Sequence, residues 1–87
     1  KVRSVGVYWM QDQQDVKFPK EWSLEVRSGK EWKPFELYVT DRYDNRANQY
    51  NVVHPAAPLT CDAIRINMTP KEGSAVGILE VQVKFED

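Results

Sequence analysis

Three groups of residues carry side chains whose types and spacing could do chemistry. Asp12 and Asp15 lie on the polar run 11–15, and two carboxyl groups held at a fixed separation are what glycoside hydrolysis uses as acid and base. Both stand on one polar stretch with no apolar neighbours to raise a pKa. They read instead as directional acceptors for sugar hydroxyls, with a solvated loop as the plainer alternative. His54 and Cys61 could supply a base and a thiol nucleophile, but a spacing of seven across Pro55 and Pro58 makes no nucleophile motif. His54 reads as a strand-end residue and Cys61 as a small boundary residue. One His and one Cys are also too few for a zinc site. No catalytic residue is assigned. The third group is Arg42, Tyr43 and Asn45, which share the run 41–45 with Asp41 and Asp44, where a planar ring, a hydroxyl and polar side chains could face a ligand.

The elements that must position these residues are strands. Apolar residues recur at spacing two far more often than at three or four, which is the period of a half-buried strand. Val5, Val7 and Trp9 define a first strand over 2–10; Trp22, Leu24 and Val26 define a second over 21–27. Ser28-Gly29 supplies turn chemistry, so 21–27 and 32–39 form a hairpin. A fourth strand runs over 50–54, a fifth through Ile64, Ile66 and Met68, and a sixth through Leu79, Val81, Val83 and Phe85. Pro55 and Pro58 bracket a connection that cannot donate two ladder hydrogen bonds. The expectation is an all-β antiparallel sandwich or barrel, forming one domain over 1–87. If consecutive strands run antiparallel, the loops 11–20, 40–49 and 69–77 share one end, and 28–31 and 55–62 share the other. A ligand site belongs at the first end, where the longer polar loops sit on a rigid scaffold.

Composition narrows the function classes. The chain has 87 residues, 12 basic and 13 acidic, with a formal charge of −1. The signs are mixed along it, so no phosphate-tracking stripe for nucleic acid is present. The longest apolar run, Ala75 to Leu79, is far shorter than the ~20 residues of a membrane-spanning helix. A lone Cys excludes an internal disulfide. A chain this short buries only about 60–65% of its unfolded surface and is marginal without help; three Trp, four Tyr and three Phe supply it. Trp9 and Trp22 are in phase with apolar strand neighbours and read as core rather than as sugar platforms, and Trp32 reads as packing over the hairpin. The start at Lys1, directly into a strand pattern, reads as an excised or processed piece of a longer protein.

Val5-Gly-Val-Tyr-Trp9, Pro19-Lys-Glu-Trp22-Ser-Leu-Glu-Val26, Gly29-Lys-Glu-Trp32-Lys-Pro34, Tyr50-Asn-Val-Val53, Ile64-Arg-Ile66 and Gly77-Ile-Leu-Glu80 form an ordered series. In this order they resemble the C-terminal half of the galactose-binding-like jelly roll, the discoidin or coagulation factor 5/8 type C superfamily. The likeness is nearest to the accessory β-sandwich of bacterial glycoside hydrolases, of the β-L-arabinofuranosidase family 127 type from gut Bacteroidetes. The resemblance implies a non-catalytic domain of a secreted, periplasmic or cell-surface enzyme, with its first strands outside the 87 residues. It also implies a structural Ca²⁺ for which Glu80 could be one ligand, although calcium takes six to eight oxygens and one carboxylate supplies too few. Otherwise Glu80 is a strand residue paired with a cation such as Arg65.

The expected function is therefore carbohydrate binding, with Asp12, Asp15, Arg42, Tyr43 and Asn45 as glycan contacts and the catalytic domain of the parent enzyme as a second partner. A purely structural β module packed on that catalytic domain is the alternative, and it predicts a contiguous apolar patch. A cell-surface adhesion or protein-interaction module is the third reading.

Overall fold

The computed structural model describes residues 1–12, 15–46 and 48–85. Among them are six strands and no helix: β1 (Val2–Met10), β2 (Glu21–Ser28), β3 (Glu31–Pro34), β4 (Tyr50–Val53), β5 (Ala63–Thr69) and β6 (Gly77–Phe85). They form two antiparallel three-stranded sheets, ordered β4-β1-β6 and β3-β2-β5, which makes a small β-sandwich.

The period-two pattern is what fixes the faces. In β2, Trp22, Leu24 and Val26 are buried while Glu21, Ser23, Glu25 and Arg27 are not, and in β1 the buried Val5, Val7 and Trp9 fall on one parity. Residues paired across an antiparallel ladder share a face. Val53 therefore joins Val5 in the core, and Val83 and Val81 lie on the core side beside Val5 and Val7. The sheets meet through Trp9 and Trp22, whose rings pack edge to face at 5.3 Å. Each fully buried aliphatic side chain of this core contributes roughly 1.5–3 kcal/mol.

The sequence reading placed the third strand over 32–39, and the structure corrects it. Pro34 ends β3 because proline has no amide hydrogen to continue the ladder. Phe35 still donates its amide to the Leu24 carbonyl (3.0 Å) and is buried. The chain then leaves that sheet: Leu37 bridges to Pro55, and the Tyr38 amide reaches the His54 carbonyl in the line of β4. Residues 35–46 form a strap that joins the two sheets along their β3 and β4 sides.

The loops fall at the ends expected from strand direction. Loops 11–20 and 69–77 are tied by Lys17 N–H to Ala75 C=O, Ala75 N–H to Asp15 C=O and Lys20 N–H to Thr69 C=O. The far end of the strap joins them, with Asn45 Nδ2 donating to the Pro19 carbonyl. At the opposite end the Gly29 amide donates to Asp62 Oδ2 and the Asp62 amide to the Arg27 carbonyl.

The β5 and β6 side is different. Each is the last strand of its sheet; among the described residues the chain passes between them only through the 70–76 connection at one end, with no strap like 35–46 along their length. Their core-facing residues are uncovered there: Phe85 is 70% exposed, Val81 42% and Met68 38%, and Leu79, at a β-bulge, is 63% exposed. Exposure on the inward parity of a sandwich strand means that the sandwich is open along this side.

Candidate functional site

The residues expected to contact a ligand divide into those engaged within the fold and those left at the surface. Asp12 caps its own loop: Oδ1 accepts the amides of Asp15 and Val16, both at 2.9 Å. This is the local side-chain to backbone bonding that short carboxylates favour in turns. Asp15 has an exposed side chain, and its carbonyl takes the Ala75 amide. Asn45 is half-buried, with Nδ2 on Pro19 and Oδ1 buried without a hydrogen-bond partner.

Tyr43 turns inward rather than toward solvent. Its ring packs edge to face on Trp22 at 4.7 Å. Its hydroxyl accepts the Leu24 amide hydrogen (3.2 Å) and donates to the Phe35 carbonyl (3.4 Å). Burial pushes the phenol pKa up, partly opposed by the Leu24 hydrogen bond. An exposed-loop reading of 41–49 missed this because a lone aromatic among charges carries no periodicity to assign it a face.

Arg42 alone among the strap candidates remains exposed over a cleft. The cleft holds about 210 Å³ and is lined by Arg42, Asp44, Arg46, Gln49, Tyr50 and Asn51. Arg46 lies 3.8 Å from Asp44 in a loose, exposed ion pair. Buried Asn51 shapes the wall: its Oδ1 accepts the Arg46 amide at 2.8 Å, and its Nδ2 reaches the carbonyls of Arg46 and Val7. Asn48, in the left-handed conformation at φ 57°, makes the turn back into β4. The sequence reading missed Arg46, Gln49 and Tyr50 because it placed Tyr50 only within a strand. The available signal was parity, since Tyr50 pairs with Tyr8 on the face opposite the core.

That outer face continues from the cleft. Tyr50 meets Tyr8 edge to face at 5.4 Å, and Gly6 leaves room for it: a Cβ there would come within 3.3 Å of Tyr50 and of Val52. Glu80, opposite Tyr8 on β6, raises the Tyr50 pKa, first by accepting its hydrogen bond, with burial and the carboxylate charge adding to it. Glu80 is thus placed beside two tyrosines. Among the described residues no group of three or more His, Cys, Asp or Glu side chains is placed to hold a metal ion. The residues around Glu80 do not fit the oxygen set that calcium needs. Arg65 pairs instead with Glu25 at 2.9 Å and lies over Trp32 at 4.1 Å from the ring centre.

His54 and Cys61 also have structural surroundings. Asp41 Oδ2 accepts the His54 amide (2.6 Å) and lies 3.0 Å from His54 Nδ1, anchoring the strap to the end of β4. Cys61 is half-buried against the core.

Chemically, the cleft offers guanidinium donors, a phenol, two side-chain amides and one carboxylate. This set can hold a hydroxylated or anionic ligand by hydrogen bonds, and it lacks the pair of carboxylates that hydrolysis needs. No helix among the described residues is long and apolar enough to cross a membrane. Comparisons with protein-family models, curated proteins and solved structures find no match for this chain.

Proposed function

We propose that this chain is a non-catalytic β module of a bacterial carbohydrate-active enzyme, secreted or periplasmic, and that its main role is structural: it packs its open side against a further β surface. The observation that carries the reading is the exposure of core-facing Val81, Phe85 and Met68 along the free β5 and β6 edges. Apolar patches of this kind mark interaction surfaces. The resemblance to the accessory sandwich of glycoside hydrolases supplies the enzyme context. The internal hydrogen bonds of Asp12, Tyr43 and Asn45 weigh against a glycan site built on those residues.

The test is binding of a hydrophobic dye to the dilute chain. Strong dye fluorescence that falls on Val81→Lys and Phe85→Ser, with the melting temperature held, supports the reading. A monomeric wild type that does not bind the dye overturns it.

A second reading is glycan contact, favoured by the polar cleft under Arg42 and beside Tyr50. It expects retention on an immobilised polysaccharide that Arg42→Ala abolishes. Absence of retention on any plant or host glycan removes it.

A further inference from the structure

β6 is an edge strand whose outer row of backbone donors and acceptors pairs with no further strand among the described residues, which makes it a template for another strand. Its side chains specify which one. On its outer face β6 carries Glu80, Gln82 and Lys84, opposite Tyr8, Gly6 and Ser4 of β1. On its inner face it carries Val81, Val83 and Phe85. The acidic and basic residues sit symmetrically about Gln82.

We propose that the open side is closed by a second copy of this chain, through antiparallel pairing of β6 with its counterpart about a two-fold axis at Gln82. This rests on the docking role proposed above and names the occupant. An isologous contact requires that a residue and its opposite number exchange places across the axis. From Leu79 to Phe85 the sequence of β6 satisfies that requirement. Glu80, which also accepts the Tyr50 hydrogen bond within its own chain, meets Lys84 of the second copy, and Lys84 meets its Glu80, giving two opposite-charge pairs on the outer face. Val81 meets Val83 on the inner face, both ways. Leu79 and Phe85, 63% and 70% exposed in the single chain, face each other at the ends of the overlap. Shifting the register by one residue would put inner residues opposite outer ones, and a shift by two separates the charges.

The same axis serves the core. β5 and β6 border the same open side, so pairing the two β6 strands joins the β4-β1-β6 sheets into one continuous sheet. It also brings Ile66 and Met68 of each copy toward the apolar residues of the other. An edge that otherwise invites uncontrolled strand addition is then closed within a finite assembly.

Sedimentation equilibrium on the purified chain tests this, with three charge variants. The wild type is expected to show a concentration-dependent monomer–dimer equilibrium. Lys84→Glu sets Glu against Glu twice and is expected to weaken the dimer about tenfold or more, since each cross-strand charge pair changes sign. Glu80→Lys acts likewise. The double reversal, Glu80→Lys with Lys84→Glu, restores opposite charges in the same register and is expected to recover wild-type affinity. A wild type that stays monomeric at every concentration overturns the proposal, and so does a dimer that ignores the single reversals. A monomer that still binds the hydrophobic dye refutes the second copy as occupant while leaving the docking role standing; a chain that neither binds dye nor dimerises refutes both.

Discussion

The Tyr43 hydroxyl accepts the Leu24 amide hydrogen across 3.2 Å and so ties the 35–46 strap to the middle of the second sheet. The same oxygen donates to the Phe35 carbonyl, and Phe35 in turn donates its own amide to the Leu24 carbonyl. Three residues from two segments thereby satisfy one another beside the core, closing the side of the sandwich opposite β5 and β6.

Tyr43→Phe keeps the ring against Trp22 but leaves the Leu24 amide without its acceptor. A buried donor stripped of its partner costs about 1–3 kcal/mol, so urea unfolding should show a loss in that range and a melting temperature lower by roughly 5 °C or more. Glycan retention, if any, should not change. Loss of retention at unchanged stability would contradict the inward placement of this ring.

Alkaline pH probes the same contact. The folded Tyr43 phenol has a pKa raised above the ordinary 10.0 by burial. The unfolded chain therefore ionises first as pH rises. The stability associated with the neutral phenol is complete below about pH 10 and is lost as pH climbs through the raised folded value. Denaturant titrations across this window should fall less steeply for Tyr43→Phe than for the wild type. Equal slopes would show that the phenol is solvated in the folded state.

On the outer face of the second sheet the sign reverses. Glu25 Oε1 accepts Asn67 Nδ2 at 2.6 Å and Arg65 Nη2 at 2.9 Å. These bonds, with the Arg65 charge, hold the carboxyl below its usual 4.5 despite some desolvation. A depressed folded pKa gives stability that is present above the unfolded value and lost as pH falls through the folded one. Glu25→Gln should be less stable than the wild type at pH 7, and the difference should shrink as pH falls below 4.5 and vanish once pH passes below the lowered folded value. A difference that persists into acid would mean that packing, not charge, sets the effect.

Four strands were legible because alternation is a strong signal and each of β1, β2, β5 and β6 was read from three or four residues at once. β1, β2 and β6 emerged close to their observed limits from Val5-Val7-Trp9, Trp22-Leu24-Val26 and Val81-Val83-Phe85. Loop grouping followed from direction alone. The strap did not, because Phe35, Leu37 and Tyr43 change sheets between them and no single period describes a chain that does so. The candidate contacts suffered from the same limit. A carboxylate in a polar loop looks alike whether it caps its own turn, as Asp12 does, or faces solvent, as Asp15 does, and only the backbone geometry separates them.

The β2–β3 turn offers a purely conformational test. Gly29 has φ 71°, and a Cβ built there meets nothing within 4 Å. Sterics with neighbours therefore play no part, and Gly29→Ala should cost about 1 kcal/mol from the left-handed backbone alone. Gly29→Asn should cost less, because asparagine tolerates this region. Equal stability of all three proteins by urea unfolding would mean that the turn relaxes to another conformation.

Asp12 separates a loop cap from a sugar contact. Its Oδ1 takes two amides that open the 11–20 loop, and that loop is in turn paired with residue 75 just before β6. Removing the acceptor should loosen both segments. Asp12→Ala is expected to lose about 1 kcal/mol, the scale of local side-chain to backbone bonds at turns, and to speed amide exchange at Asp15, Val16 and Ala75. Asp12→Asn keeps an oxygen in the same place and should recover most of both effects. A sugar contact would behave in the opposite way: alanine would leave exchange at these amides unchanged while reducing glycan retention. Hydrogen exchange on the two variants, measured beside retention on the same glycan panel, distinguishes the cap from the contact.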